Sequence, residues 1–438
     1  MTNPILKNYF ASAPGRLDVM GGIGDYSGSL VLQMPISQKT VVKVTLRSDY
    51  QCSLESISGA DKIPSVNVDY RDFLKKNVVD YDFAKAKFKQ LKSDGWIGYV
   101  LGCALALQKE KGIEFTGADF NITSEVPLGK GVSSSASIEV ATLKALSEAF
   151  GVSFSGTELP KLAQRVENLI VGAPCGLMDQ LASYLGEPKK LLPIICQPDL
   201  FEKPISIPEG IFFIGIDSGV RHSVSGASYS DVRCAAFMGY TIIANSLGVS
   251  SEEILKAKLQ QRFSQLPYKG YLCNISAQEF ESTFSKHLPI TIGGKNFLEN
   301  FSHSLDSVTA INPETEYAIR QCVSHPIYEN ERVHKFKTLL LSLNEFAKAK
   351  ERNSIMKSMG ELMYHSHASY SKCGLGSDRT DEIAELSKNK PGIYGAKITG
   401  GGNGGAVCLL TDENGVASAR KIHQMLCEKY KQELVFFE

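Results

Sequence analysis

Three segments rich in glycine and serine, far apart in the chain, constrain its fold more than any other feature: residues 14–26, 127–137 and 400–405. Backbone this bare can approach a ligand or another segment closely. The middle segment is the most informative. Leu128-Gly129-Lys130-Gly131-Val132-Ser133-Ser134-Ser135 runs into Ile138, Val140, Ala141, Leu143 and Leu146, whose spacing predicts a helix with an apolar face. Small residues ahead of a helix N-terminus leave backbone N–H groups open, where a polyphosphate is favoured. The segment therefore predicts a nucleotide site built from Gly129, Gly131, Ser133, Ser134, Ser135 and Ser137. It is not a Walker loop, because no G-x-x-x-x-G-K-[ST] occurs, and residues 400–405 have no βαβ unit beyond them to make a dinucleotide fingerprint.

At 438 residues the chain exceeds one comfortable core, so two domains are expected. Pro204, Pro208 and Gly210 precede an apolar run at 211–216 and place the boundary near residue 208, giving domains 1–208 and 209–438. Lysine plus arginine and aspartate plus glutamate each number 47, spread along the chain, so no basic stripe points to nucleic acid or an anionic membrane. Residues 1–10 lack the order of a secretory signal, and no apolar run approaches the roughly 18 to 20 residues that span a bilayer. A cytoplasmic protein is expected; nothing in the sequence fixes its oligomeric state. The ten cysteines include no C-x2-C pair and mostly sit in apolar runs, which predicts reduced thiols acting as small hydrophobes. Residues 41–46 alternate like a strand, while 96–107, 155–171, 333–349 and 417–430 carry helical spacing. Periodicity alone supports a mixed α and β protein of two domains.

The three segments, in this order and spacing, resemble the three signature motifs of the GHMP kinases, the superfamily of galactokinase, homoserine kinase, mevalonate kinase and phosphomevalonate kinase. The string Ala13-Pro14-Gly15-Arg16-Leu17-Asp18-Val19-Met20-Gly21-Gly22, followed by Asp25-Tyr26-Ser27-Gly28-Ser29, is most similar to the galactokinase branch and, within it, to the kinase domain of L-arabinokinases. The resemblance runs from near Phe10 to the C-terminus. It implies an α+β fold, with an N-terminal domain of the ribosomal-protein-S5-domain-2 type, a ferredoxin-like C-terminal domain, and the active site between them. It also implies ATP and Mg²⁺ as cofactors and a small-molecule sugar as partner.

Phosphoryl transfer needs the phosphates cradled, Mg²⁺ held, the acceptor hydroxyl positioned and developing charge stabilised. Glu167 precedes Asp179 by twelve residues, with Pro174-Cys175-Gly176 just ahead of Met178-Asp179-Gln180. By resemblance to galactokinases, Glu167 and Ser135 become the metal ligands, Asp179 the catalytic base and Arg16 its partner. Cys175 and Gly176 join the sugar site, and Trp96 packs against adenine. Arg221 is implied near the aspartate, with His222 a structural hydrogen-bonder. Read from the residues alone, Glu167 is a solvated helix charge and Trp96 a core residue.

Galactokinases carry Gly-Glu-His-Thr-Asp-Tyr where this chain has Gly21-Gly22-Ile23-Gly24-Asp25-Tyr26. The resemblance implies that Asp25 holds the 3- and 4-hydroxyls of the sugar and that Tyr229 supports the same ring edge. The Glu-His pair, which serves the 6-hydroxymethyl of galactose, gives way to Gly22 and Ile23. L-Arabinopyranose is D-galactopyranose without that group. An intact Glu-His pair facing a pentose would leave buried polar groups unpaired, at about 1 to 3 kcal/mol each. The implied reaction is therefore transfer of phosphate from ATP to the anomeric hydroxyl of L-arabinose. Galactose or another galacto-configured sugar is the alternative, and a silent sugar sensor a third. Gly22→Glu with Ile23→His is expected to turn the pocket toward galactose, provided two larger side chains fit a loop shaped around glycine.

Overall fold

The computed structural model describes residues 7–58, 61–197, 200–220, 227–345 and 349–438. Arg221 and His222 lie outside them. The chain forms two compact units, the first comprising residues 1–16 and 35–188, the second residues 17–34 and 189–438.

In the first unit, residues 8–16 of strand β1 (Asn8–Met20) and 35–46 of β2 (Leu30–Leu46) build a sheet with β3 (Gln51–Ser58), β4 (Asp61–Asp69) and β5 (Ala118–Ser124). The order is β4-β3-β5-β2, with β1 also on β2. β5 runs parallel to β3 and antiparallel to β2, in register from Thr40↔Ser124 to Leu46↔Ala118. The alternation read from the sequence is the pleat itself: Val42 and Val44 are fully buried while Val41 is exposed. Helices Gly98–Lys111, Ser134–Phe150, Glu158–Arg165 and Met178–Leu185 belong to this unit. Leu101, Leu105, Val140, Leu143 and Val166 bury their apolar faces with Val44, Leu54 and Phe120 of the strands. The expected helical stretch 155–171 is split, its second half being a π-helical turn, Val166–Val171, that ends at a left-handed Gly172.

In the second unit, Leu30 to Gln33 of β2 pair with β6 (Lys190–Ile195), which also pairs with β7 (Leu200–Phe201) and β8 (Ile205–Ser206). These ladders tie residues 190–206 to residues 30–33, which follow the first glycine segment. The division therefore falls at residue 188 and not near 208, and residues 17–34 join the second unit. β9 (Phe212–Asp217) confirms the apolar run as a strand; β10 (Ile292–Gly293) and β11 (Glu316–Tyr317) form a short separate ladder. With β12 (Ile393–Ile398), β13 (Ala406–Thr411) and β14 (Phe436–Phe437), β9 makes an antiparallel sheet of order β12-β13-β9-β14. Helix Glu413–Tyr430 lays Ile422 and Leu426 on Ile214, Ile216, Val407 and Leu409 of that sheet. The predicted helix at 333–349 begins much earlier, running Ile319–Glu345 with Pro326 inside it, and is followed by helix Ala349–Lys372. All ten cysteines are free, nine of them buried. No helix among the described residues is long and apolar enough to cross a membrane.

Candidate active site

The phosphate-loop reading meets a helix N-terminus with open donors. Ser133 precedes helix Ser134–Phe150 in a left-handed conformation (φ 61°), and its side chain caps nothing. Its hydroxyl is buried with no protein partner. First-turn N–H groups have no acceptor within their own helix, so this end fits an anion. Ser134 and Ser135 line a cavity of about 210 Å³ that is also walled by Trp96, Tyr99, Leu128 and Ile138. Trp96 packs partly against the core, and its indole N–H is buried without an acceptor. Trp96 therefore touches the core on one side and walls the cavity on the other. Ser137 departs from expectation: fully buried, it donates to the Ala13 carbonyl at 2.8 Å. Helical periodicity turns that hydroxyl onto β1, away from the cavity wall.

Glu167 is buried within the π-helical turn, 2% exposed. Its Oε2 accepts from Gln180 Nε2 at 2.7 Å and from the Cys175 thiol at 3.4 Å, and the Ser135 hydroxyl also donates to the carboxylate. Burial pushes its pKa up to about 7, the charge of Asp179 adding to the effect while the hydrogen bonds oppose it. A carboxylate so short of compensating charge, with a hydroxyl beside it, fits a hard cation. Among the described residues no group of three or more His, Cys, Asp or Glu could hold a metal. The fit is therefore to an ion completed by phosphate oxygens and water. Glu139 backs this cluster. It is fully buried, accepts from Gln180 Nε2 at 3.5 Å, and leaves Oε1 without a partner. Burial, and then the charge of Glu167, pushes it well above the usual carboxylate range.

Cys175, expected against the sugar, is instead a buried thiol on Glu167. Its N–H donates to Asn168 Oδ1 at 2.9 Å, and its carbonyl accepts from the side chains of Gln164 and Asn168. Those bonds lock it to the π-helical turn. Gly176, half-buried, follows it. Asp179 sits in the first turn of helix Met178–Leu185. Arg16, 2% exposed, reaches Asp179 Oδ1 with Nε at 3.0 Å and Nη2 at 2.7 Å, while its Nη1 donates to the Gly131 carbonyl at 2.7 Å. The Arg16 backbone N–H also bonds the Val132 carbonyl at 3.0 Å. That approach explains Gly15, where a Cβ would stand 2.6 Å from the same carbonyl oxygen. The expected pairing of Arg16 with Asp179 is present, and it is anchored on the Gly131 carbonyl of the glycine- and serine-rich loop.

In the second unit, Gly22–Ser27 forms a buried 3₁₀ turn. Asp25 is 4% exposed and accepts the Tyr26 N–H at 2.6 Å. The Tyr26 ring meets Tyr229 edge-on at 6.3 Å, and both pack with Ile23 in one core cluster. Gly22, Ile23, Asp25 and Tyr229 are thus brought together. Gly22 has φ +44°, and a Cβ there would fall 1.4 Å from Tyr370 Oη. The Glu-His replacement, expected to work only if larger side chains fit a loop shaped around glycine, has no room at position 22 as built.

Several residues that hold this turn were not read from the sequence. Asp18 and Lys397 form a fully buried ion pair at 2.6 Å. Asp18 Oδ1 also accepts from Gln33 Nε2 at 2.7 Å and from the Gly22 N–H at 3.1 Å. Glu329 accepts from the Gly21 N–H at 3.2 Å, the Ser366 hydroxyl at 2.7 Å and Arg332 Nε at 2.7 Å. The Tyr370 hydroxyl accepts the Ile23 N–H at 2.8 Å and donates to the Gly400 carbonyl at 3.0 Å. The third glycine segment, which joins β12 to β13, is pinned further by the Asn403 N–H on the Leu375 carbonyl at 2.6 Å. Position offers a signal for Asp18, which lies inside the first segment, and for Lys397, which stands just ahead of the third.

The model of the GHMP kinases N terminal domain matches residues 98–187, the galactokinase galactose-binding signature matches 4–46, and the GHMP kinases C terminal model matches 348–432. An L-arabinokinase from Arabidopsis thaliana is 39% identical over 97% of this chain, which spans less than half, 44%, of that protein's length. A galactokinase from Chloroflexus aggregans is 30% identical over 92% of this chain and 83% of its own length. The fold is similar to that of Lactococcus lactis galactokinase complexed with galactose, with a TM-score of 0.72 at 22% identity over 98% of this chain and 92% of that one. It is also similar to Methanococcus jannaschii mevalonate kinase, with a TM-score of 0.56 at 16% identity over 99% of this chain and 98% of that one. This is the two-domain α+β fold of that superfamily. With its N- and C-terminal family models, its galactokinase signature and a galactokinase relative matched over most of both chains, the chain belongs to the GHMP kinases, in their galactokinase branch.

Proposed function

We propose that this chain is an ATP- and Mg²⁺-dependent sugar 1-kinase acting on the anomeric hydroxyl of L-arabinose. The observation that carries this reading is the Arg16 guanidinium, which bonds both Asp179 and the Gly131 carbonyl of the loop ahead of the phosphate helix. One side chain thereby couples the group that would take the acceptor's proton to the loop that would hold the phosphates. The Ser133 hydroxyl and the N–H groups of Ser134 and Ser135 would bind phosphate oxygens, and Gly129 and Gly131 allow close approach. Trp96 would lie against the adenine in the adjoining cavity. Ser135 and Glu167 would hold Mg²⁺, which when bound supplies charge neutralisation of the phosphates.

In the reaction, the anomeric oxygen forms a bond to the γ-phosphorus, the bond from that phosphorus to the bridging oxygen breaks, and ADP leaves. The hydroxyl proton passes to Asp179. Arg16 orients the carboxylate and offers a forked cation to the charge spread over the transferring group. On the sugar, Asp25 and Tyr229 would meet the 3- and 4-hydroxyls. Gly22 and Ile23 present no polar side chain to carbon 6, which suits a pentose.

A second reading, galactokinase, is favoured by the galactose-binding signature over residues 4–46 and by the galactokinase relatives. An apolar edge rejects one added group by only about 10- to 200-fold, so modest galactose turnover fits either reading. Coupled ADP release across L-arabinose, D-galactose, D-galacturonate and D-fucose separates them. L-Arabinose should give the highest kcat/KM; a higher value for D-galactose would replace the first reading with the second, and silence toward all four would remove both.

A further inference from the structure

Tyr370 fills the space that a side chain on residue 22 would need. A Cβ on residue 22 would stand 1.4 Å from Tyr370 Oη and 2.7 Å from its Cζ. The tyrosine is no flexible obstacle. Its side chain is fully buried, its ring stands at right angles to His325 at a centroid distance of 5.1 Å, and its hydroxyl is bonded on both sides. Swinging it aside would strand the Ile23 N–H and the Gly400 carbonyl inside the core, where unpaired polar groups are disfavoured. Any side chain at position 22 therefore requires loss of the Tyr370 hydroxyl, and the hydroxyl requires glycine at position 22.

We propose that Tyr370 is a positioning residue that sets sugar specificity. By filling the place of a residue-22 side chain it excludes a polar side chain from the Gly22-Ile23 edge, its own hydroxyl being spent on the Ile23 N–H and the Gly400 carbonyl, and by its bond to Ile23 it fixes the turn that carries Asp25. The proposal rests on reading Gly22 and Ile23 as the edge that faces carbon 6 of the sugar. It follows that Gly22→Glu with Ile23→His cannot convert the pocket while Tyr370 remains. A third change, Tyr370→Leu, is needed to make room.

The test uses the full chain and two independent readouts. In thermal melting, Gly22→Ala should be strongly destabilising in the wild type and much less so in the Tyr370→Leu background. Equal losses in the two backgrounds would overturn the steric coupling. In kinetics, Tyr370→Phe, which keeps the ring, should raise KM for the preferred sugar about tenfold or more with KM for ATP unchanged. If both KM values stay put, Tyr370 is structural only. The triple variant Gly22→Glu, Ile23→His, Tyr370→Leu should move the galactose-to-arabinose ratio of kcat/KM upward by about tenfold or more relative to Tyr370→Leu alone. A folded triple variant with an unmoved ratio overturns the proposal. A wild type that prefers galactose would sink the arabinose reading while leaving the melting test of the coupling to be judged by itself.

Discussion

Arg16 grips Asp179 through a single carboxylate oxygen: Nε at 3.0 Å and Nη2 at 2.7 Å both reach Oδ1, and the third guanidinium nitrogen is spent on the Gly131 carbonyl. The carboxylate is oriented from one side, with its side chain still 19% exposed, and Oδ2 carries no hydrogen bond among those found for the described residues. Such an arrangement suits a group that must receive a proton. It also makes the orientation of the Asp179 carboxylate depend on the loop that carries Gly131.

Asp179→Asn is accordingly expected to lower kcat by roughly 10²- to 10⁴-fold, the usual contribution of a general base. Binding of a non-hydrolysable ATP analogue should survive, because the carboxylate acts on the acceptor. Arg16→Lys keeps the charge but loses the planar fork, so it should reduce kcat and also raise KM for ATP through the freed Gly131 carbonyl. Isothermal titration beside steady-state kinetics checks both. Turnover by Asp179→Asn within a few-fold of wild type would remove Asp179 from the mechanism.

Glu167→Gln keeps the shape of the buried side chain and removes a charged ligand. The Mg²⁺ concentration for half-maximal rate should rise about tenfold or more, and a chelator should silence both forms. A Mg²⁺ titration that superimposes on wild type would leave Glu167 a structural role at the π-helical turn.

Four residues singled out in the sequence are brought together in pairs by the fold: Arg16 bonds Asp179, and the Ser135 hydroxyl bonds Glu167. Ser137 shows the limit of motif reading: the helix turns its hydroxyl onto Ala13, and a serine in a serine run gives no sign of which face it occupies. The division at 208 is drawn from prolines, a glycine and an apolar run, yet the short strands beside those residues pair with β6, which itself pairs with residues 30–33. Tyr370, Glu329 and Lys397 meet the first glycine segment across more than three hundred residues of sequence. No window-based pattern carries that information, and a lysine beside a glycine loop reads as a solvated charge until its aspartate is seen.

Trp96 is the chain's single tryptophan, so the cavity proposed for the nucleotide has a built-in reporter. Stacking of a base on an aromatic side chain is worth about 1 to 3 kcal/mol. Trp96→Ala should therefore raise KM for ATP roughly 5- to 150-fold with KM for the sugar unchanged, and ATP should alter the wild-type fluorescence. An unchanged KM together with a silent spectrum would assign Trp96 to core packing.

His325 supplies a pH dependence that can be isolated. The ring is 1% exposed, its Nδ1 is bonded to Ser369 Oγ at 2.7 Å, and its Nε2 has no partner. Burial holds its pKa down at about 4, against the pull of Glu329, while Arg332 and Lys397 reinforce the depression. An unfolded chain takes up the proton near pH 6.5, the folded protein only near 4. Between those values the unfolded state binds more protons, so this contribution to stability is whole above pH 6.5 and is lost as the pH falls toward 4. The loss amounts to about 3 kcal/mol, from about 1.4 kcal/mol per pH unit. Glu329 acts in a separate window. Burial raises its pKa, but Arg332, His325, Lys397 and the Ser366 hydroxyl outweigh burial and hold it at about 2, so its contribution fades only below the ordinary glutamate range, from pH 4.5 downward. His325→Gln should lower stability near pH 7, where the neutral ring packs well, and should flatten the decline between pH 6.5 and 4. Urea midpoints of wild type and variant should thus converge as the pH approaches 4. Parallel profiles across that range would show that His325 does not titrate differently in the folded and unfolded chains.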